Sequence, residues 1–332
     1  MFRIWSIIFV LVSSSFTDDF NQSDKKLIDT AHKYISEKFE SISNITDDIT
    51  SNTINYTKKI VNINSVDSLF KNEKFIEDTK KSFLRLSSDY SYNTLDDDDF
   101  NIRLNAKLAL NKSRKNFNLY ISGLNQDNIG EIVKKDKSYS AKSEIGISYV
   151  ALLKQNIETK YSLGIRSLYP YIKARISYKK KLDIFELEPI QTIEYSSRNE
   201  FKEYTQLYLD TKVIDNVKFR LELSRGTSSK NIGMDYSSVA SVFWTPLNKT
   251  GFRFSQGIYG NTKYKYIVDE ITKETKEYNK INNYVTTLTF RQNVYRKWLF
   301  YEISPSVNFH KEHDFNQNYR LYLRLDVFFG NM

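Results

Sequence analysis

From residue 83 to the C-terminus, apolar and polar residues alternate with a period of two, and the polar positions repeatedly carry charge. Ile102, Leu104, Ala106, Leu108 and Leu110 interleave with Arg103, Asn105, Lys107 and Ala109. Tyr319, Leu321, Leu323, Leu325, Val327 and Phe329 interleave with Arg320, Tyr322, Arg324, Asp326 and Phe328. Successive side chains of a strand point to opposite faces, so one face is continuously apolar and the other charged. A sandwich core cannot bury that charge. A strand with lipid on one side and a polar interior on the other matches it.

The alternation divides into about fourteen segments, long enough in most cases for the 9 to 11 residues that a tilted strand needs to cross a bilayer. They run over 83–93, 100–110, 117–123, 139–151, 157–167, 169–180, 183–197, 201–213, 215–225, 236–246, 250–261, 281–294, 298–310 and 317–329. Short links at 111–116, 180–182, 215–216, 248–250 and 295–297 interleave with longer ones at 124–138, 226–235 and 262–280. Short turns on one side and long loops on the other describe a barrel with periplasmic turns and outer loops. The expected fold is therefore all-β: a transmembrane antiparallel up-and-down β-barrel with an N-terminal α-helical extension. The cramped link at 167–170 and the brief 117–123 segment leave twelve strands as the alternative. In this topology Trp244 and Trp298 fall at the periplasmic rim, where indoles favour the headgroup zone.

Composition agrees: 24 Tyr and 22 Phe suit strands and interfacial girdles, whereas Gly and Pro are few, at 10 and 4. The absence of Cys excludes disulfides and Cys-based metal sites. Residues 1–15 read as a secretory signal peptide, with Arg3 before an apolar run from Ile4 to Val12 and small residues at Ser13 to Ser15. No later stretch approaches the ~20 apolar residues of a spanning helix, so a helical membrane protein is excluded. The net charge of +9 is spread along the chain rather than clustered, so nucleic acid is not an expected partner.

Residues 16–80 form a polar segment before the barrel of residues 81–332. Leu27, Ala31, Ile35, Phe39 and Ile42 recur three or four apart, one stripe of an amphipathic helix. A weaker helical pattern follows at Val66, Leu69, Phe70 and Ile76. The segment is expected either to lie in the periplasm or to plug the lumen.

Strand parity turns Arg85, Arg103, Lys107, Lys160, Arg166, Lys173, Arg175, Lys179, Lys212, Lys218, Arg220, Arg253, Arg291, Arg320 and Arg324 inward. It turns Asp89, Glu144, Glu186, Glu188, Glu194, Asp210, Glu222, Glu302 and Asp326 the same way. Bases outnumber acids, so the interior is either an anion-preferring path or a ladder of cross-strand ion pairs.

Candidate chemistry is sparse. His310 and His313 have a spacing that allows two imidazoles to reach one metal, yet a solvated loop explains them as well, and neither a metal nor a cofactor is expected. Ser304 or Ser306 with His310 evokes a lipid-modifying hydrolase, although four to six residues along one strand is about 13 to 20 Å, too far for a hydrogen bond. Asp96 to Asp99 lacks the spaced Gly and Glu of a calcium loop.

The stretch Arg291-Gln-Asn-Val-Tyr-Arg-Lys-Trp-Leu-Phe-Tyr-Glu-Ile-Ser-Pro305, followed by Leu323-Arg-Leu-Asp-Val-Phe-Phe-Gly330, resembles a family of uncharacterised proteobacterial outer-membrane β-barrel proteins. The likeness covers the last 40 residues, with fainter echoes at Gly164 to Arg166, Pro170, Ala174-Arg175 and Ser82 to Leu86, and implies a signal peptide, a periplasmic segment and a barrel. It implies no activity. Outer-membrane lipid, the barrel-assembly machinery and small anionic solutes are the expected partners. The function expected is a non-enzymatic narrow channel or structural barrel; a barrel hydrolase and a secreted soluble β protein that binds ligands are the alternatives.

Overall fold

The structure, a computed structural model, describes residues 22–49, 69–70, 82–110, 117–122, 144–154, 156–198, 200–230, 233–247, 249–269, 274–294 and 296–329. The signal peptide, the links at 111–116 and 124–138, and the C-terminal 330–332 lie outside the described residues.

Among the described residues, the helix α1 (Gln22–Ile49) and a helical pair at 69–70 precede the strands. These are β1 (Phe83–Asn93), β2 (Asp99–Leu110), β3 (Phe117–Ser122), β4 (Glu144–Lys154), β5 (Ile157–Arg166), β6 (Tyr169–Tyr178), β7 (Lys180–Lys181), β8 (Glu186–Ser196) and β9 (Glu200–Ile214). There follow β10 (Val217–Ser228), β11 (Asp235–Leu247), β12 (Thr250–Asn261), β13 (Tyr264–Asp269), β14 (Glu274–Tyr278), β15 (Ile281–Asn293), β16 (Leu299–His310) and β17 (Gln317–Phe329). Neighbours in sequence pair antiparallel, β1 pairs with β17 and β6 pairs with β8, so the sheet closes on itself. The result is a closed barrel of 14 strands, which excludes the twelve-strand alternative. Closure leaves no unpaired edge, the condition for strands to exist in lipid at all.

Three elements depart from the alternation read in the sequence. β13 and β14 form a separate hairpin in the long 262–280 connection, and β7 is a two-residue annex on β8. The cramped 167–170 link is a two-residue turn: Ser167 and Leu168 both adopt positive φ, 47° and 72°. Positive φ at both central positions matches the right-handed twist of the strands it joins, and so allows an outer connection this short.

Alternation decides which side chains go where. Arg103, Asn105 and Lys107 of β2 are buried while Ile102 is 61% exposed, and Leu163 on β5 is 65% exposed beside buried Ser162. The exterior is thus apolar and the interior polar, the reverse of a soluble sheet, which disposes of the soluble alternative. The end with the start of β1, the end of β17 and the two-residue turn at 215–216 is the one that a barrel with short turns on one side keeps toward the periplasm. Around its outward face runs an aromatic belt, Trp244 to Phe252 at 5.4 Å between ring centroids, Phe252 to Phe290 at 5.1 Å and Phe290 to Tyr301 at 5.6 Å. Aromatic rings in such a girdle mark the membrane boundary. The chain is a closed β-barrel with the exterior of one that crosses a bilayer.

Candidate functional site

The inner wall is the candidate site, and its densest part lies where the barrel closes. Register places Ser87 opposite Asp326, Asp89 opposite Arg324, and Glu302 opposite both Arg291 and Arg324. Asp326 is fully buried and accepts hydrogen bonds from Arg85 Nε at 3.0 Å, Ser87 Oγ at 2.7 Å and Arg291 at 2.7 Å. Arg291, 1% exposed, also donates to Glu302 at 3.0 Å. Asp89 takes Arg103, which also reaches the Tyr322 hydroxyl at 3.2 Å. Buried charges persist only when paired and hydrogen-bonded. Here cross-strand register supplies both conditions.

Two further clusters line the other side. Asp210 on β9 accepts from Lys218 at 2.9 Å and from Arg220 at 2.6 Å, and Glu222 accepts from Gln206 at 3.2 Å. Arg166 bridges Glu144 at 2.8 Å and Glu194 at 2.7 Å, with its guanidinium 4.5 Å from the Tyr171 ring. That ring has room because Gly146 and Gly164, opposite each other on β4 and β5, carry no side chains. A Cβ on Gly146 would sit 2.6 Å from the Tyr120 hydroxyl, which itself hydrogen-bonds Tyr171.

The remaining candidates are placed by register. Lys173 and Arg175 lie on β6 opposite Glu194 and Thr192, Lys107 lies opposite Tyr120, and Glu186 lies opposite Asp210. Glu188 is met by Lys179 at 3.4 Å. Arg324 lies between Asp89 and Glu302 across both its neighbours. Two further inward cations bond hydroxyls. Arg253 donates to Thr289 Oγ1 at 3.1 Å and Arg320 donates to Ser91 Oγ at 2.7 Å, both neutral hydroxyls.

The periplasmic mouth is occupied by the chain itself. Leu69 and Phe70 are buried against the inward rings of Phe243, Phe300 and Phe328, with Trp298 packed on the same cluster. Arg291 Nε donates to the Leu69 carbonyl at 3.0 Å, and Phe70 meets Phe243 edge-on at 5.2 Å. Gly251 makes the space: a Cβ there would sit 2.6 Å from Leu69 and 2.9 Å from Phe70. The helical pattern hinted at these two residues, but only the tertiary structure shows where they go.

Helix α1 rests against β2 and β17. Of its apolar stripe Phe39 is buried, whereas Ile35 and Ile42 stay exposed, so the helix is held by specific contacts more than by a broad apolar face. His32 stacks on Trp298 at 4.1 Å and on Phe329 at 5.0 Å, and its Nε2 donates to the Phe328 carbonyl at 2.8 Å. Trp298 therefore faces a histidine, while Trp244 is 46% exposed on the outward face. Asp29 and Arg296 pair through two bonds of 3.1 and 2.6 Å at the surface. His32→Ala is expected to expose α1 to added protease in folded barrels, whereas Asp29→Ala changes little. Stacked rings with a bond contribute about 1–2 kcal/mol, and exposed ion pairs about 0–1. Equal protease sensitivity of the two variants would refute this ranking.

The outer end is rich in amides. Asp235, Asn261, Asn283, His310 and Asn318 are all buried there, together with Asn282, the extra residue at the irregularity between β12 and β15. His310 Nδ1 accepts from the Glu312 backbone at 3.2 Å, while His313 Nε2 faces Asp96 at 3.4 Å. The two histidines thus turn to different partners. Ser304 is engaged by Thr289 at 3.1 Å and Glu302 at 3.4 Å. Asp96 and Asp98 accept from Asn318 at 2.7 Å and Tyr90 at 2.5 Å, as a loop satisfying itself.

No protein-family model matches the chain, and no curated protein matches its sequence. Among solved structures, the chain is similar to the porin OprB of Pseudomonas putida, 9% identical over 79% of this chain and 97% of that one, with a TM-score of 0.47. It is also similar to an anion-selective porin from Comamonas acidovorans, 7% identical over 75% of this chain and 98% of that one, at 0.45. A KdgM porin in complex with disordered oligogalacturonate is 10% identical over 73% and 98%, at 0.35. No property of this chain is carried over from them.

Proposed function

We propose that this barrel is a narrow, non-enzymatic outer-membrane channel that prefers small anions, with its N-terminal segment seated in the periplasmic mouth. One observation carries the preference. Among the described residues, most inward bases face carboxylates, but Arg320 donates to the Ser91 hydroxyl, and Arg253, bonded to Thr289, shares the one carboxylate of Glu302 with Arg291 and Arg324. Inward bases therefore exceed inward acids on the wall, and an excess of cations in a low-dielectric tube lowers the barrier for negative solutes. Seating of Leu69 and Phe70 narrows the path on the periplasmic side.

The test is the reversal potential of purified barrels in planar bilayers under a salt gradient. Anion preference is expected, falling severalfold in Arg253→Gln with Arg320→Gln, because hydrogen-bonding capacity stays while both charges go. Cation preference in the native protein would overturn the proposal. Absence of conductance from folded barrels, with the N-terminal segment present and removed, would leave a purely structural barrel.

A further inference from the structure

The lipid-facing side of the barrel is not uniform around its circumference. Across the middle of β2 to β6 the outward positions are apolar, with Ile102, Ile147, Leu163 and Ile172 each about half exposed or more, at 61, 49, 65 and 55%. From β8 to β15 the same face carries Gln191, Glu203, Thr205, Arg225, Gln256 and Thr286. Register confirms the face: Gln191, Thr205 and Arg225 lie opposite one another, on the same side as the Leu207, Leu209, Leu221 and Leu223 row, and Gln256 lies opposite Thr286. Thr205 donates to Gln191 at 2.7 Å, Arg225 donates to Glu203 at 3.1 Å and Thr286 donates to Gln256 at 2.6 Å.

Depth decides what this means. Gln256 is four residues above Phe252 of the aromatic belt, about 10 Å up a tilted strand and near mid-membrane. Arg225 is eight residues above Val217, which pairs with Trp244, so the ion pair lies about 20 Å up, toward the outer boundary of a ~25 Å apolar band. The Arg225 and Glu203 side chains are 56% and 32% exposed. Acyl chains offer no hydrogen-bond partner to Gln256 and Thr286 at mid-depth.

We propose that this side of the barrel docks a second copy of the same chain about a two-fold axis along the membrane normal. Lying on neighbouring strands at similar depth, Arg225 and Glu203 make the patch self-complementary: the two-fold turns Arg225 toward the partner's Glu203. Self-complementarity of one patch is the mark of an isologous contact. A ring would need a second, different polar patch, and among the described residues the middle of the β2 to β6 side has none.

The chain lacks Cys, so single-cysteine variants report without background. Thr205→Cys, Ser238→Cys and Thr286→Cys, oxidised in isolated outer membranes, are expected to yield a species of twice the chain mass in at least one case, with Leu163→Cys yielding none. Heat-modifiable migration of each variant verifies folding. Arg225→Glu is expected to reduce the dimer at least tenfold, and Arg225→Glu with Glu203→Arg to restore it. The proposal falls if none of the three folded variants crosslinks, or if Leu163→Cys crosslinks equally. It also falls if the adduct contains a different protein, or if native mass shows a monomer retaining stoichiometric glycolipid.

Discussion

Asp326→Ala is expected to destabilise the barrel by about 3–5 kcal/mol, the largest single-site effect on folding, because it strands two buried guanidinium groups. Asp326 is the shared acceptor of Arg85, Arg291 and Ser87, and it and Arg291 are 0% and 1% exposed. Arg85 is only 5% exposed, while Arg291 retains Glu302 at 3.0 Å. Asp326→Asn keeps the shape and part of the hydrogen bonding while removing the charge, so a smaller loss is expected. The measurement is the urea midpoint of the folded, heat-modifiable band after reconstitution in lipid. A shift worth under about 1 kcal/mol for Asp326→Ala would mean that lumen water hydrates the arginines, since solvent-exposed pairs are worth no more.

Leu69→Ala with Phe70→Ala is expected to raise conductance strongly while leaving barrel stability nearly unchanged. Truncating buried Leu and Phe costs about 2–5 and 3–5 kcal/mol respectively. These two sit on a segment held in the mouth by the Phe243, Phe300 and Phe328 rings and one bond from Arg291. Losing even about 3 kcal/mol of seating shifts a seated-to-released equilibrium by about a hundredfold. Gly251→Val approaches the same contact from the wall, where a Cβ already falls 2.6 Å from Leu69, and is expected to open the path likewise. Single-channel recording checks both variants; unaltered conductance in each would show that the segment does not restrict the path.

Much of the barrel was legible in the sequence because bilayer crossing imposes a period of two on every strand. Segments at 83–93, 250–261 and 317–329 match β1, β12 and β17 to the residue. The β13 to β14 hairpin was not legible, since it lies beyond the membrane and pairs only with itself, so nothing forces alternation on it. The 167–170 link looked too short because its geometry depends on positive φ at Ser167 and Leu168, which their identities do not announce. The inward set of charges followed from parity. Their pairing did not, because a hydrogen bond such as Arg85 to Asp326, 241 residues apart, depends on how closure sets the β1 to β17 register.

The alternation from residue 83 onward therefore pointed, without coordinates, to a barrel that crosses a membrane as strands, with side chains sent alternately to its two faces. Those are local consequences of side-chain direction on a pleated strand. Only the tertiary structure decided that Asp326 gathers two arginines, that Arg253 and Arg320 donate to hydroxyls, and that Leu69 and Phe70 enter the mouth beside Gly251. Each depends on which distant strands become neighbours when the sheet closes, a choice that no local pattern encodes.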